Sequence, residues 1–257
     1  MLNVIQIPVR NSLRNYMYLL VCEKTKHAIA IDPLDHALCL HKAQALDIQI
    51  KYLVNTHHHH DHIGGNDPVI TATGAKLAAH KEAQKHIPDV DIGLSAGDIF
   101  EVGELKFNIM DTPGHTMSHV CLLYQSDNDQ SALFCGDTLF NAGIGRCDSG
   151  GDPEVMFTTF SEQIFTLDDD IQVFPGHDYI ENNLGFTLEY EPSNAKAQSL
   201  LTRFQTDLDA ESYVTTIGLE REINTFFRTH SQEIKKRLNT KTDRETFIAL
   251  RKERDQW

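Results

Sequence analysis

Positive charge is scarce in this chain: 23 Lys and Arg stand against 37 Asp and Glu across 257 residues, a formal net charge of -14. Nucleic acids are bound by clustered cations that neutralise phosphates, so a general nucleic-acid binder is excluded, while a local basic pocket is not. Long apolar runs are also missing. No stretch approaches the roughly 20 residues needed to cross a bilayer, and the amino-terminal MLNVIQIPVRN lacks the apolar core of a secretory signal. A cytoplasmic protein without a membrane partner is expected. Cysteine is sparse and unpatterned. Cys22, Cys39, Cys121, Cys135 and Cys147 are odd in number and show no C-x-x-C spacing, which argues against a disulfide framework and a thiolate zinc site. Reduced, buried thiols are expected instead. No internal repeat, low-complexity tract or flexible linker interrupts the chain.

What is present has the length for one large α/β domain, or for such a domain with a small appendage. The runs YMYLLVC, AIAIDP, IKYLVNT, FEVGELKFNIMDTPG, VCLLYQS and SALFCGD read as strands of two sheets. Between them HALCLHKAQAL and KLAAHKEAQKHI are compatible with helices covering the outer faces. That order predicts a layered αββα sandwich. After IQVFPG the texture changes, and amphipathic helical patterns dominate from about Asn194 onward. The boundary falls near Gly176 to Tyr190, giving a catalytic domain over residues 1–176 and a helical, substrate-binding domain over 177–257. Thr242-x-x-Glu245 forms a capping box, which predicts a terminal helix from Asp243 to about Gln256.

The chemistry concentrates where apolar strands end. Directly after IKYLVN comes Thr56-His57-His58-His59-His60-Asp61-His62-Ile63-Gly64-Gly65. On extended backbone His57 and His59 point the same way, and Asp61 and His62, where the chain turns toward the glycine pair, can face a second point nearby. Imidazole and carboxylate together suit Zn(II), Fe(II) or Mn(II). Four histidines alone also read as an accidental surface tract. Three further strand ends weigh against that: His115 after Asp111-Thr112-Pro113-Gly114, Asp137 after Leu133-Phe134-Cys135-Gly136, and His177 after Val173-Phe174-Pro175-Gly176.

This constellation resembles the metallo-β-lactamase superfamily, whose pattern is H-x-H-x-D-H, a lone His, a bridging Asp and a final His. Two divalent metal ions are implied, zinc foremost, with iron or manganese as alternatives. His57, His59 and His115 would hold one, Asp61, His62 and His177 the other, and Asp137 would bridge them. Within the superfamily the chain is most similar to glyoxalase II, the hydroxyacylglutathione hydrolases. The similarity runs from Ile7-Pro8, Asn15-Tyr16-x-Tyr18-Leu19 and Ile31-Asp32-Pro33 to the last residues. It implies substrate contacts from Arg146, in Gly136-Asp137-Thr138-Leu139-Phe140-x-Ala142-Gly143-x-Gly145-Arg146, and from Tyr179, in Gly176-His177-Asp178-Tyr179. Arg251 and Arg254, in the terminal Leu250-Arg251-Lys252-Glu253-Arg254-Asp255-Gln256-Trp257, are implied as further contacts.

The tail from Glu233 holds eight Lys or Arg against five Asp or Glu, a local excess of cations that suits a dianionic tripeptide. Two departures stand out: Arg14 precedes Asn15-Tyr16 where Asp is usual, and Cys147 to Asp152 replaces a shorter, aromatic-containing turn. The implied reaction is hydrolysis of S-(2-hydroxyacyl)glutathione, chiefly S-D-lactoylglutathione, to glutathione and D-lactate, the second step of methylglyoxal detoxification. A metal-bridging hydroxide would be the nucleophile and Asp61 would orient it. A small-molecule glutathione thioester is thus the expected partner and a monomer the expected state. The rival readings are a persulfide dioxygenase, a lactonase, a β-lactamase or a metal-binding module without turnover.

Overall fold

Strands β1 (Leu2–Pro8), β2 (Tyr16–Cys22) and β3 (His27–Ile31) pair antiparallel in sequence order, and β4 (Gln49–Val54), β5 (Lys76–His80) and β6 (Ile92–Leu94) extend the sheet in parallel. Parallel neighbours need crossovers. These are α1 (His36–Ala45) between β3 and β4, then α2 (His60–Ile63) and α3 (Asn66–Thr73) between β4 and β5. This computed structural model describes residues 1–127, 129–206 and 213–257. It comprises two compact units, residues 1–112 with 118–136, and residues 113–117 with 137–257.

In the first unit β2 is buried at every position, and its two faces serve different layers. Met17, Leu19 and Val21 join Leu53, Leu77, Cys39, Ala43 and Val69 in a core beneath α1 and α3. Tyr18, on the opposite face, meets Phe134 edge-on with ring centroids 5.8 Å apart. Phe134 belongs to a second sheet, β10 (Ala132–Gly136), β9 (Val120–Tyr124), β8 (Leu105–Asp111) and β7 (Ile99–Val102) in that spatial order, all antiparallel. Tyr52 packs on Phe100 across the same layer at 4.9 Å. A helix layer on a sheet facing a second sheet is the arrangement the strand pattern predicts.

Two details differ from the expectation. KLAAHKEAQKHI is no helix: Lys76–His80 is β5 and Lys81–Lys85 a single 3-10 turn. Residues 77–80 are all buried, and a short apolar run covered on both faces reads the same as a buried helix until tertiary burial overrides the helix preference of its alanines. FEVGELKFNIMD is a hairpin, turning at Gly103 with φ +58. The strand β1 and the helix α3 had no counterpart in the pattern reading.

In the second unit β11 (Leu139–Phe140) and β12 (Gly143–Ile144) form a small hairpin, followed by α4 (Pro153–Glu162). Helix α4 escaped the sequence reading although its start is marked: Asp152 Oδ1 accepts from the Glu154 and Val155 amides, and Pro153 occupies the first turn. Then come β13 (Gln172–Pro175), α5 (Ile180–Tyr190), α6 (Ala195–Thr206), β14 (Thr215–Thr216), α7 (Ile217–Ile223), α8 (Gln232–Leu238) and α9 (Asp243–Arg254), with β13 and β14 antiparallel. The expected helical character of residues 207–212 lies outside the described residues. Helix α9 starts at the predicted capping box, Thr242 accepting from the Glu245 amide and Glu245 from the Thr242 amide. Its Phe247, Leu250 and Arg251 form one buried stripe, Phe247 packing on Phe160 and Phe226. Truncating Phe247 to alanine would cost about 3–5 kcal/mol.

Candidate metal centre

In the first unit β4 ends in the histidine tract, and the groups that hold the tract come from the ends of β3 and β4 and the residue before β2. Asp32, at the end of β3 with φ +46, accepts from the Thr56 amide at 2.9 Å and the Thr56 hydroxyl at 2.6 Å. Its Oδ2 also accepts from His62 Nδ1 at 2.9 Å, which turns the Nε2 lone pair of His62 outward. Asn55 Nδ2 donates to the His62 carbonyl, and Asn15 Nδ2 donates to Asp61 Oδ2 at 3.0 Å and to the Asp61 carbonyl at 3.2 Å. Gly65 is required by close approach, since a Cβ there would lie 1.8 Å from the Pro33 carbonyl oxygen.

The donor atoms fall into two pairs: His57 Nε2 and His59 Nδ1 are 3.1 Å apart, and His62 Nε2 and Asp61 Oδ2 are 3.5 Å apart. Two ligands bound about 2.1 Å from one tetrahedral cation sit roughly 3.4 Å apart, so both spacings fit a shared metal. Asp32, His57 and His62 also lie within ligand distance of one another. Asp32 is committed to the Thr56 amide and hydroxyl and to His62 Nδ1, which suits it to orient His62. The intervening histidines turn away. The His60 side chain is 90% exposed, and the His58 ring stacks on His86 at 4.2 Å, where burial and the His86 charge push its pKa down to about 4. His119 Nδ1 bonds the Thr112 hydroxyl at 2.9 Å, and its ring stacks on His57.

The second unit carries the dispersed residues. His115 Nε2 is 3.5 Å and His177 Nε2 3.2 Å from the same Asp137 oxygen, Oδ2, and all three side chains are nearly fully buried. A carboxylate between two imidazoles at those spacings is a donor set for borderline divalent cations. His115 Nδ1 donates to the Arg146 carbonyl at 2.6 Å, again leaving Nε2 for a ligand role. His177 stacks on Tyr179 at 5.0 Å, and Phe140 meets both rings edge-on.

The three arginines singled out in the sequence lie close together in this unit, in different surroundings. Arg146 is 61% exposed, with Nη2 2.6 Å from Asp148 Oδ2 and Nε 3.8 Å from Asp255 Oδ1. Arg251 is 2% exposed; its Nη1 donates to the Ile144 and Gly145 carbonyls at 3.0 Å each and its Nη2 to Asp255 Oδ1 at 2.8 Å. Arg254 donates to Asn183 Oδ1 and lies over the Phe186 and Trp257 rings. Burial, reinforced by the Arg251 and Arg146 charges, pushes Arg254 below the usual arginine range. Such crowding of cations favours an anionic guest.

Two family models match the chain in succession: "Metallo-beta-lactamase superfamily" over residues 17–177 and "Hydroxyacylglutathione hydrolase C-terminus" over residues 178–257. The hydroxyacylglutathione hydrolase of Polaromonas sp. strain JS666 is 49% identical over 256 residues, covering 96% of this chain and 97% of that protein. The chain belongs to the hydroxyacylglutathione hydrolase family. The enzyme of the same name from Nitrosococcus oceani is 44% identical, with 98% of each chain covered. Among solved structures, ETHE1 from Myxococcus xanthus superposes with a TM-score of 0.73 at 26% identity, over 97% of this chain and 90% of that one. The fold is thus the metallo-β-lactamase type with a family-specific helical carboxyl-terminal region. The superfamily implies divalent metal, and the His and Asp clusters of each unit fit ligands of a dinuclear site. Sequence reasoning missed the supports Asp32 and Asn15, which it met only as part of a family resemblance.

Proposed function

We propose that the chain hydrolyses the thioester of S-(2-hydroxyacyl)glutathione, S-D-lactoylglutathione foremost, to glutathione and D-lactate, acting in methylglyoxal detoxification. Family membership over nearly the full length supports the reaction class. The observation that carries the reading further is the presence, within one unit, of the His115–Asp137–His177 donor set and the cluster of Arg146, Arg251 and Arg254.

In this reading His57, His59 and His115 hold one metal, Asp61, His62 and His177 a second, and Asp137 both; zinc is the proposed ion, with iron or manganese as alternatives. When bound, the pair lowers the pKa of water toward neutrality and polarises the acyl carbonyl. Asp61, fixed by Asn15, orients the attacking water and takes up its proton. The water oxygen bonds to the acyl carbon, the carbon–sulfur bond breaks, and glutathione leaves as a thiolate that is then protonated. Arg146 and Arg254 pair with the glutathione carboxylates and Tyr179 packs on the peptide, while Arg251, expected as a further contact, is buried with its Nη atoms on the Ile144 and Gly145 carbonyls and Asp255 and instead supports the site through that backbone. Residues 1–176 are proposed as the catalytic domain and 177–257 as the substrate-binding domain, supported by the family-model boundary at 177/178. A monomer in the cytoplasm is proposed. Five buried cysteines, none in a disulfide, suit a reducing compartment, and no described helix is long and apolar enough to cross a membrane.

The test is thiol release from S-D-lactoylglutathione by the purified protein, with a β-lactam and an acyl-homoserine lactone as controls. Preferential turnover of the glutathione thioester is expected; preference for either control overturns the reading.

A further inference from the structure

The hairpin β11–β12 and its exit, residues 141–146, are held almost residue by residue by side chains from the helical part of the second unit. Asn183 Nδ2 donates to the Asn141 carbonyl at 2.9 Å, and Asn141 Nδ2 donates to the Thr215 hydroxyl at 2.8 Å. Ala142, strained at φ +58, donates its amide to Glu220 Oε2 at 2.9 Å. Asn224 Nδ2 donates to the Gly143 carbonyl at 3.1 Å and to Glu220 Oε2 at 2.8 Å. Arg251 takes the next two carbonyls, Ile144 and Gly145. The carbonyl after those, Arg146, accepts from His115 Nδ1 at 2.6 Å. Glu220, Asn224 and Arg251 are at most 2% exposed, so no water competes for these bonds. Buried polar bonds to successive backbone groups fix one backbone geometry, and removing one member leaves its partners unsatisfied.

We propose that Asn224, together with Glu220, is a positioning residue for the metal ligand His115, acting through the 142–146 backbone and the Arg146 carbonyl. The proposal rests on His115 being a ligand. In it, the helical region sets ligand orientation as well as substrate affinity: the register of residues 142–146 decides where the Arg146 carbonyl stands, and that carbonyl decides the tautomer and tilt of the His115 ring. Replacing the Asn224 amide with a carboxylate keeps the size of the side chain and turns its donor into an acceptor facing the Gly143 carbonyl and Glu220.

Asn224→Asp, Glu220→Leu, Glu220→Gln, His115→Ala and Ile234→Ala are compared in the full chain. Ile234 is a buried aliphatic on α8 and serves as the control for simple loss of stability. Zinc affinity is read by chelator competition, ring geometry by the visible spectrum of the cobalt-substituted protein, and folding by thermal melting. Orienting partners of metal-bound imidazoles are worth about 10–100-fold in affinity, so Asn224→Asp and Glu220→Leu should bind one zinc about tenfold more weakly with a changed cobalt spectrum. Glu220→Gln, whose carbonyl can still accept both N–H groups, should restore both. Ile234→Ala should melt earlier with an unchanged spectrum. The proposal is overturned if Asn224→Asp keeps wild-type zinc affinity and spectrum, or if Ile234→Ala weakens zinc as much for the same loss of melting temperature. Retention of both metals by His115→Ala would instead refute the ligand assignment, and the proposal with it.

Discussion

The two units support their proposed ligands by opposite means. In the first, four ligands come from six consecutive residues, and Asp32, Asn15 and Asn55 brace them from strands or strand ends of the same sheet, at most 46 residues away. In the second, His115, Asp137 and His177 arrive singly, and the loop between them is fixed by Glu220, Asn224 and Arg251, 78 to 107 residues away. One half is local chemistry on a strand end. The other depends on a helical region that must fold onto it, so damage far along the chain should reach the ligands of the second unit and spare those of the first.

The largest effect is expected at the residue both metals would share. Asp137→Ala should lower kcat by at least roughly 10²- to 10³-fold, the range for losing one electrostatic catalytic group, and should strip metal; retained turnover in a metal-analysed sample would break the assignment. A smaller loss is expected in the first unit. Asp32→Asn keeps the size of the side chain but weakens the hold on His62 and Thr56, and zinc affinity measured by chelator competition should fall about 10–100-fold.

Legibility from sequence follows the same division. The tract His57 to His62 could be read because its proposed ligands fall within six residues and follow an apolar strand, and the cap at Thr242 because its two halves are three residues apart. The dispersed His115, Asp137 and His177 needed the order of a known pattern, since each alone reads as a turn residue. Asp32, Asn224 and Glu220 were invisible as supports, because what defines them is a partner on another element. For Glu220, a buried acid in a seven-residue helix, no periodicity distinguishes a network member from a surface charge. The strand β5 was misread for the converse reason: its alanines carry helix propensity, and only burial on both faces overrides it.

Smaller changes separate substrate binding from support within the arginine cluster. Arg254→Ala should raise KM about tenfold with kcat nearly unchanged, the pattern of lost uniform binding. Arg251→Met leaves the Ile144 and Gly145 carbonyls without their donor at a cost of about 1–3 kcal/mol. Its melting temperature should therefore fall as well, which Arg254→Ala should not match. A pH signature is expected at Glu220, whose carboxyl burial pushes up from 4.5 to about 7 against neutral partners, Thr215, Asn224 and the Ala142 amide. The folded state then holds a proton that the unfolded chain releases, so this stabilisation is complete below pH 4.5 and is lost as pH rises through about 7. Compared with Glu220→Gln, the wild-type melting temperature should drop across that window and run parallel above it. Parallel curves throughout would show that Glu220 does not titrate there.

The most direct test of the proposed metal centre is the metal content of the purified chain, by elemental analysis after removal of loosely held ions. About two ions per chain are expected, as in other two-metal hydrolytic sites, falling in Asp137→Ala. One ion or none in the wild-type protein, with full thioesterase activity, would contradict the account.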